Sequence, residues 1–203
     1  MTRFSRSLLA LAVAVPLAFA SQAEAAPERY RIDSEHMAIG FLVQHIGYAS
    51  TLGQFREAEG GFTFDEQART LTDLKVSIKT ASVYTAHEKR DEHLRKADFL
   101  NVAKYPEMTF VMTRAEPTGA RTGKVTGDLT LLGVTKPVTL DVTWNKSGEY
   151  PFGGGVLGKP NYVTGISARG SFKRSDFGMD YGVADGLVGD DIQLIIELEA
   201  IRQ

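Results

Sequence analysis

Residues 125–144 read VTGDLTLLGVTKPVTLDVTW. Leu129 and Leu131 on the first arm, and Val138, Leu140, Val142 and Trp144 on the second, recur at every other position with Thr and Asp between them. A period of two marks a strand with one buried and one solvated face. Between the arms, Gly133-Val134-Thr135-Lys136-Pro137 reads as the turn: Gly133 admits a positive φ and Pro137 ends the ladder. The segment is therefore an antiparallel hairpin.

The same alternation returns on both sides of it. Met37, Ile39, Phe41 and Val43 share one strand face, opposite Ala38, Gly40, Leu42 and Gln44. Leu74, Val76 and Ile78 alternate with Asp73, Lys75, Ser77 and Lys79, and Met108, Phe110 and Met112 with Thr109 and Thr113. Ile166, Ala168, Gly170 and Phe172 make a further strand, and Ile192, Leu194, Ile196 and Leu198 close the chain. With Gln54 to Phe64 the total is about eight strands. One segment differs. Ala86 to Lys96 predicts a short helix, with Asp91–Arg95 and Glu92–Lys96 spaced to pair charges along one face. Leu94 is nearly all it can bury, so it lies across the outside or one end of the sheet, as a connector or as a lid.

About eight sequential antiparallel strands satisfy their edges by closing, which favours an all-β single eight-stranded barrel with one helix between strands. The interior of such a barrel is either filled by side chains or holds one slender ligand. Inward candidates mix Phe41, Phe62, Phe64, Phe110, Trp144 and Phe172 with Gly127, Ala168 and Gly170, and small residues on an inner face leave volume. Pattern alone leaves both outcomes open.

Residues 1–25 read as an export leader: Arg3 and Arg6 come first, an apolar run from Leu8 to Ala20 follows, and Ala23-Glu24-Ala25 offers a cleavage site. The run is too short to span a bilayer. Residues 26–203 then form one domain, without cysteines and hence without disulfides. The formal charge of the chain is −2; Arg3, Arg6 and Glu24 leave with the leader, so the remainder carries −3. A mildly acidic chain without a basic run does not suit nucleic acid.

Most chemical motifs fail on context. Gly153-Gly154-Gly155-Val156-Leu157-Gly158-Lys159 fits two phosphate-loop patterns, but Pro160 and a β-rich stretch follow where a helix is required, so it reads as a mobile loop. His36 and His45 are an odd number of residues apart and point to opposite faces of an unbroken strand, while His87 and His93 are badly spaced on a helix. Neither pair makes a metal site by itself, although a cross-pair such as His45 with His93 stays open. Gly165-Ile166-Ser167-Ala168-Arg169-Gly170 misses nucleophile-elbow spacing by one residue. Asp180, Asp185, Asp190 and Asp191 lack calcium-loop spacing and read as a solvated turn.

Several blocks then carry a family resemblance. His36-x-x-x-x-Phe41-x-Val43-x-His45-x-Gly47 is followed by Gly53-x-Phe55, Arg90-x-x-His93-Leu94-x-x-x-Asp98-Phe99, Tyr105-Pro106 and Phe110. Gly127-x-Leu129-Thr130-Leu131-x-Gly133-Val134-Thr135-Lys136-Pro137-Val138-x-Leu140 and Arg174-Ser175-Asp176-Phe177-Gly178-Met179 continue the series. Together they resemble the YceI family of lipocalin-like, polyisoprenoid-binding proteins. Met37 departs from the pattern, since a small hydroxyl residue commonly follows the first histidine.

The resemblance implies a long lipocalin-like barrel, exported to the periplasm, whose tunnel takes the tail of an isoprenoid lipid or quinone. Its wall would comprise Ile39, Phe41, Val43, Phe62, Phe64, Val76, Ile78, Phe110, Met112, Leu129, Leu131, Val142, Trp144, Ile166 and Phe172. His45, His93, Arg169 and Arg174 are candidates for holding a head group, and Arg90 and Asp98 for fastening the helix. The expected function is to carry or buffer such a lipid, without catalytic residues, metal or cofactor. An enzyme acting on the lipid would have only His45 as an acid or base in phase with the wall. A protein holding quinone for a membrane cytochrome is a further alternative. A carrier also needs transient contact with a membrane or membrane protein, and sheet edges that stay open would favour a homodimer.

Overall fold

Alternation becomes ten strands and one helix in a computed structural model that describes residues 26–152 and 158–203. The leader reading at residues 1–25 and the loop reading at 153–157 lie outside the described residues. In chain order the strands are β1 (Glu28–His45), β2 (Ala49–Phe55), β3 (Ala58–Asp65), β4 (Thr70–Lys79), β5 (Val83–Tyr84), β6 (Glu107–Pro117), β7 (Thr122–Leu131), β8 (Val134–Glu149), β9 (Tyr162–Lys173) and β10 (Val188–Arg202). Helix α1 (Glu88–Leu94) lies between β5 and β6.

Eight strands close on themselves in the order β10, β9, β8, β7, β6, β4, β3, β1, with β1 pairing back to β10. All pairings are antiparallel. Gln54 to Phe64, expected as one strand, is split: β2 pairs with the second half of β1 and β3 with its first residues. The break falls at Arg56 and Glu57, whose backbone N–H groups both donate to Ser82 Oγ at 3.2 and 3.1 Å. A hydroxyl thus satisfies the donors that the ladder drops.

The hairpin at 125–144 forms with a tighter turn than expected. Leu132 and Gly133 alone make it, both at positive φ (52° and 74°), as a two-residue turn matched to strand twist requires. Pairing starts at Leu131–Val134 and runs straight through Pro137, which faces Asp128. β9 joins β8 only from Leu140, so beside Pro137 no neighbouring strand needs the missing N–H.

Helix α1 is shorter than the 86–96 expectation. His87 caps it, Nδ1 accepting from Arg90 N at 3.2 Å. The expected Asp91–Arg95 pair gives way to tertiary bonds: buried Asp91 accepts from Thr85 N (2.8 Å) and Oγ1, while Arg95 donates to the carbonyls of Ala81 and Val83 at 2.8 and 2.9 Å. Arg90 donates to Thr85 Oγ1 and its carbonyl, both at 2.7 Å. The helix is bolted to the chain before it rather than zipped by its own charges.

The barrel has two unlike ends. The upper end carries the β1–β2 turn, the 80–106 connection with α1, and the 174–187 connection; buried Val83, Phe99, Leu100, Phe177 and Met179 pack there. The lower end carries the β3–β4 and β6–β7 turns. There Glu66 ties three elements together, accepting from Tyr30 Oη at 2.9 Å and Tyr162 Oη at 3.2 Å.

Candidate functional site: an apolar tunnel

Inward-pointing residues leave a cavity of about 200 Å³ along the barrel axis. Of the predicted wall, Ile39, Phe41, Phe62, Val76, Ile78, Phe110, Leu129, Leu131, Val142, Ile166 and Phe172 line it. Every other strand residue points inward, so their parity in the sequence delivers them to the same space. Leu71, Leu74, Leu140, Leu194, Ile196 and Leu198 line it as well, and their alternation already marked most of them as strand residues. Leu94, Leu100 and Met179 also contribute, from the upper connections, where no strand periodicity announces them.

A second cavity of about 260 Å³ lies at the lower end, between the β3–β4 and β6–β7 turns. It shares Phe62, Leu71, Val125, Val142 and Ile166 with the first, so the two adjoin end to end across these side chains. Phe64 and Trp144 belong to this lower mouth rather than to the inner tunnel, their rings meeting edge to face at 5.4 Å. Trp144 Nε1 donates to Ser147 Oγ at 2.9 Å, and Ser147 to Thr164 Oγ1 at 2.8 Å, which gives the indole its polar partner. Arg69 and Arg121 stand at the rim; Arg121 lies over the Trp144 ring at 5.7 Å and donates to Asn145 O at 2.7 Å.

Two predicted wall residues line neither cavity. Val43 has the right parity but sits near the upper end of β1, partly exposed, and Met112 is half-buried where β6 bulges before Arg114. Position near the strand end separates Val43 from the rest, whereas Met112 lies mid-strand beside the β6 bulge, between Phe110 of the inner cavity and Ala115 of the lower one.

None of the four head-group candidates lines the lower cavity. His45 is exposed beside the β1–β2 turn, at the opposite end. His93 is held on α1 by Asp98, Nε2 to Oδ2 at 2.9 Å, with Phe99 and Tyr181 packed edge-on. Arg169 points outward from β9, paired with Glu197 and with the carbonyls of Ala168 and Ile196. Arg174 is 1 % exposed and lines the closed upper end of the tunnel. It donates to the carbonyls of Met179, Tyr181 and Gly189 at 2.8 Å and of Val188 at 2.9 Å. Burial pulls its pKa down from the ordinary arginine value, and Asp190 and Asp180 partly restore it. This guanidinium folds the 174–187 connection across the barrel top. Motif order in a sequence does not tell which end of a barrel is open.

Chemically the wall is simple. Arg174 is the only charged side chain lining the inner cavity among the described residues, and no His, Asp, Glu, Lys, Ser or Tyr lines it. His45, the sole acid–base candidate, stands outside. The tunnel can shelter an apolar chain from water, and Arg174, committed to four carbonyls and always protonated, is no proton donor or acceptor.

Comparison with known proteins agrees with this geometry. The Protein YceI of Escherichia coli O157:H7 is 41 % identical over 200 residues, and a UPF0312 protein of Pseudomonas savastanoi pv. phaseolicola is 39 % identical over 200 residues, each match covering 98 % of both chains. The crystal structure of the Campylobacter jejuni YCEI protein superposes with a TM-score of 0.69 at 35 % identity, over 79 % of this chain and 90 % of that one. A polyisoprenoid binding domain from Saccharophagus degradans shares the fold at a TM-score of 0.61 and 14 % identity, over 86 % of this chain and 98 % of that one. The family model of the YceI-like domain matches residues 30–200, and the chain belongs to that family.

Proposed function

We propose that the protein binds an isoprenoid lipid or isoprenoid quinone by its tail and carries or buffers it, without a catalytic step. The observation that carries this reading is a cavity inside a closed barrel whose wall, Arg174 apart, consists of apolar side chains and one glycine. Kinship of fold with a polyisoprenoid binding domain supports the same ligand class. Burial alone supplies the affinity. At about 0.8 kcal/mol per buried methylene, each five-carbon isoprene unit contributes about 3–4 kcal/mol before the cost of ordering the chain. A few units suffice for tight retention, and the head group stays near the lower mouth, where Arg69 and Arg121 stand.

The reading of residues 1–25 as an export leader supports work in the periplasm, where a water-insoluble tail moving between membranes needs such a shelter. Loading then requires brief contact with a membrane or a membrane protein. The test is native mass spectrometry on protein purified from its exported fraction without detergent, followed by extraction of bound lipid. An isoprenoid of several units at up to one per chain is the expected result. Protein that is lipid-free and also refuses added polyprenol or quinone would overturn the reading.

A further inference from the structure

β1 leaves its ladder with β10 after Ile32, which faces Ala200, and rejoins it at Met37, which faces Leu198. Residues 33–36 therefore bulge out against Glu199 alone. The bulge folds Asp33 and His36 back over that glutamate on the outer wall of the barrel, away from the tunnel. Nδ1 of His36 lies 2.9 Å from Asp33 Oδ2 and 4.0 Å from Glu199 Oε2. The three ligand atoms all lie within 4.8 Å of one another, and among the described residues no other group of three His, Cys, Asp or Glu side chains converges so.

Glu199 supplies an independent observation. Its Oε2 is shut off from solvent and accepts no hydrogen bond, the only buried side-chain polar atom among the described residues in that condition. The side chain as a whole is 37 % exposed, and the His36 imidazole faces Oε2 from 4.0 Å, beyond hydrogen-bond reach, so the oxygen's accepting capacity is unused. It is aimed into the cluster, toward the imidazole. Asp33 is oriented from behind, Oδ1 accepting from Glu35 N at 3.0 Å, which leaves Oδ2 for the cluster.

We infer that Asp33, His36 and Glu199 form a binding site for a divalent transition-metal cation, with Zn²⁺ as the representative ion. One imidazole nitrogen and two carboxylate oxygens are a donor set that Zn²⁺ accepts, with a fourth position left to water. Ca²⁺ and Mg²⁺ take oxygen ligands and do not favour an imidazole. A tetrahedral ion with bonds of about 2.0–2.2 Å spaces its ligands by about 3.3–3.6 Å, so small side-chain rotations widen one separation and close the other. The bound ion satisfies Glu199 Oε2 and clasps the bulge of β1 to β10. This site is independent of the tunnel and of any lipid in it.

The test uses untagged, chelator-treated protein titrated with Zn²⁺ alone by calorimetry, with Co²⁺ absorption as a check on coordination. One Zn²⁺ per chain is expected, bound at least tenfold more weakly by His36→Ala and by Glu199→Gln, and unchanged in His45→Ala and His93→Ala. Zn²⁺ should also raise the Tm of the unaltered protein and of His93→Ala but not of Glu199→Gln, a readout that holds even if a variant is less stable. Absence of a saturable site, or equal affinity in all four variants, overturns the inference.

Discussion

The ring of Phe110 occupies the place that a side chain at Gly127 would take. A Cβ there would stand 2.5 Å from Phe110 Cζ and 2.7 Å from the carbonyl oxygen of Val111. Gly170 likewise gives its room to Leu140, whose Cδ2 would stand 2.8 Å away, and Gly53 to the ring of Phe41. The inner-wall glycines thus do not enlarge the tunnel, as their small size suggested. They let large neighbours lie against the sheet, and the free volume stays along the axis.

Gly127→Ala should therefore be costly although it adds one methyl group. The ring can rotate, but the Val111 carbonyl is backbone of the paired strand and yields little. Overpacking of this kind costs about 1–3 kcal/mol. Urea unfolding should show a lowered midpoint with the slope unchanged, and an unaltered midpoint would contradict the contact.

Ile166 lines both cavities, where the two adjoin. Ile166→Trp should cut retention of a polyprenyl probe at least tenfold, while the added ring finds empty volume and changes stability by less than about 1.5 kcal/mol. Loss of stability with retention intact would mean that the passage is closed at this point.

Arg174 gathers the carbonyls of Met179, Tyr181, Val188 and Gly189, so its replacement removes four charge-assisted hydrogen bonds at once. Arg174→Leu should lose about 3 kcal/mol or more. Arg174→Lys should rescue little, since a point ammonium cannot reproduce the planar fork. Guanidinium or thermal unfolding measures both, and a well-tolerated lysine would show that charge rather than fork geometry matters.

Asp190 offers a pH test. Burial would raise its pKa, but hydrogen bonds from Ser175 N and Oγ, both 2.9 Å, with Lys173 and Arg174 nearby, hold it below the ordinary 3.8. The unfolded chain then binds the proton more readily, so this carboxylate stabilises the fold fully above about pH 4 and loses its contribution as pH falls through the folded value. The stability difference between the unaltered protein and Asp190→Asn should be constant from pH 7 to about 5 and shrink below about 4. A difference that ignores pH would show that ionisation is not what Ser175 recognises.

Much of this molecule is written in alternation. The period of two, read from Leu129 to Trp144 and repeated along the chain, determines the strands, their inward faces and eleven of the fifteen wall residues now seen along the inner cavity, because side-chain direction in a strand depends only on local geometry. What local pattern lacks is depth and destination. Val43 and Phe41 share a face, yet only Phe41 lines the tunnel, and Leu94 lines it from a helix that has no alternation to read. The arginines and histidines show the limit most clearly. Arg174 and Arg169 differ by five residues, but one is buried against four carbonyls and the other is solvated on the outer wall. The convergence of Asp33 and His36 upon Glu199 spans nearly the whole chain and arises from a bulge that only closure of β1 against β10 creates. Composition and periodicity determined a closed apolar barrel; which end opens, which cation is buried and which distant side chains meet were decided by tertiary structure, since those outcomes depend on register and on connections that carry no period.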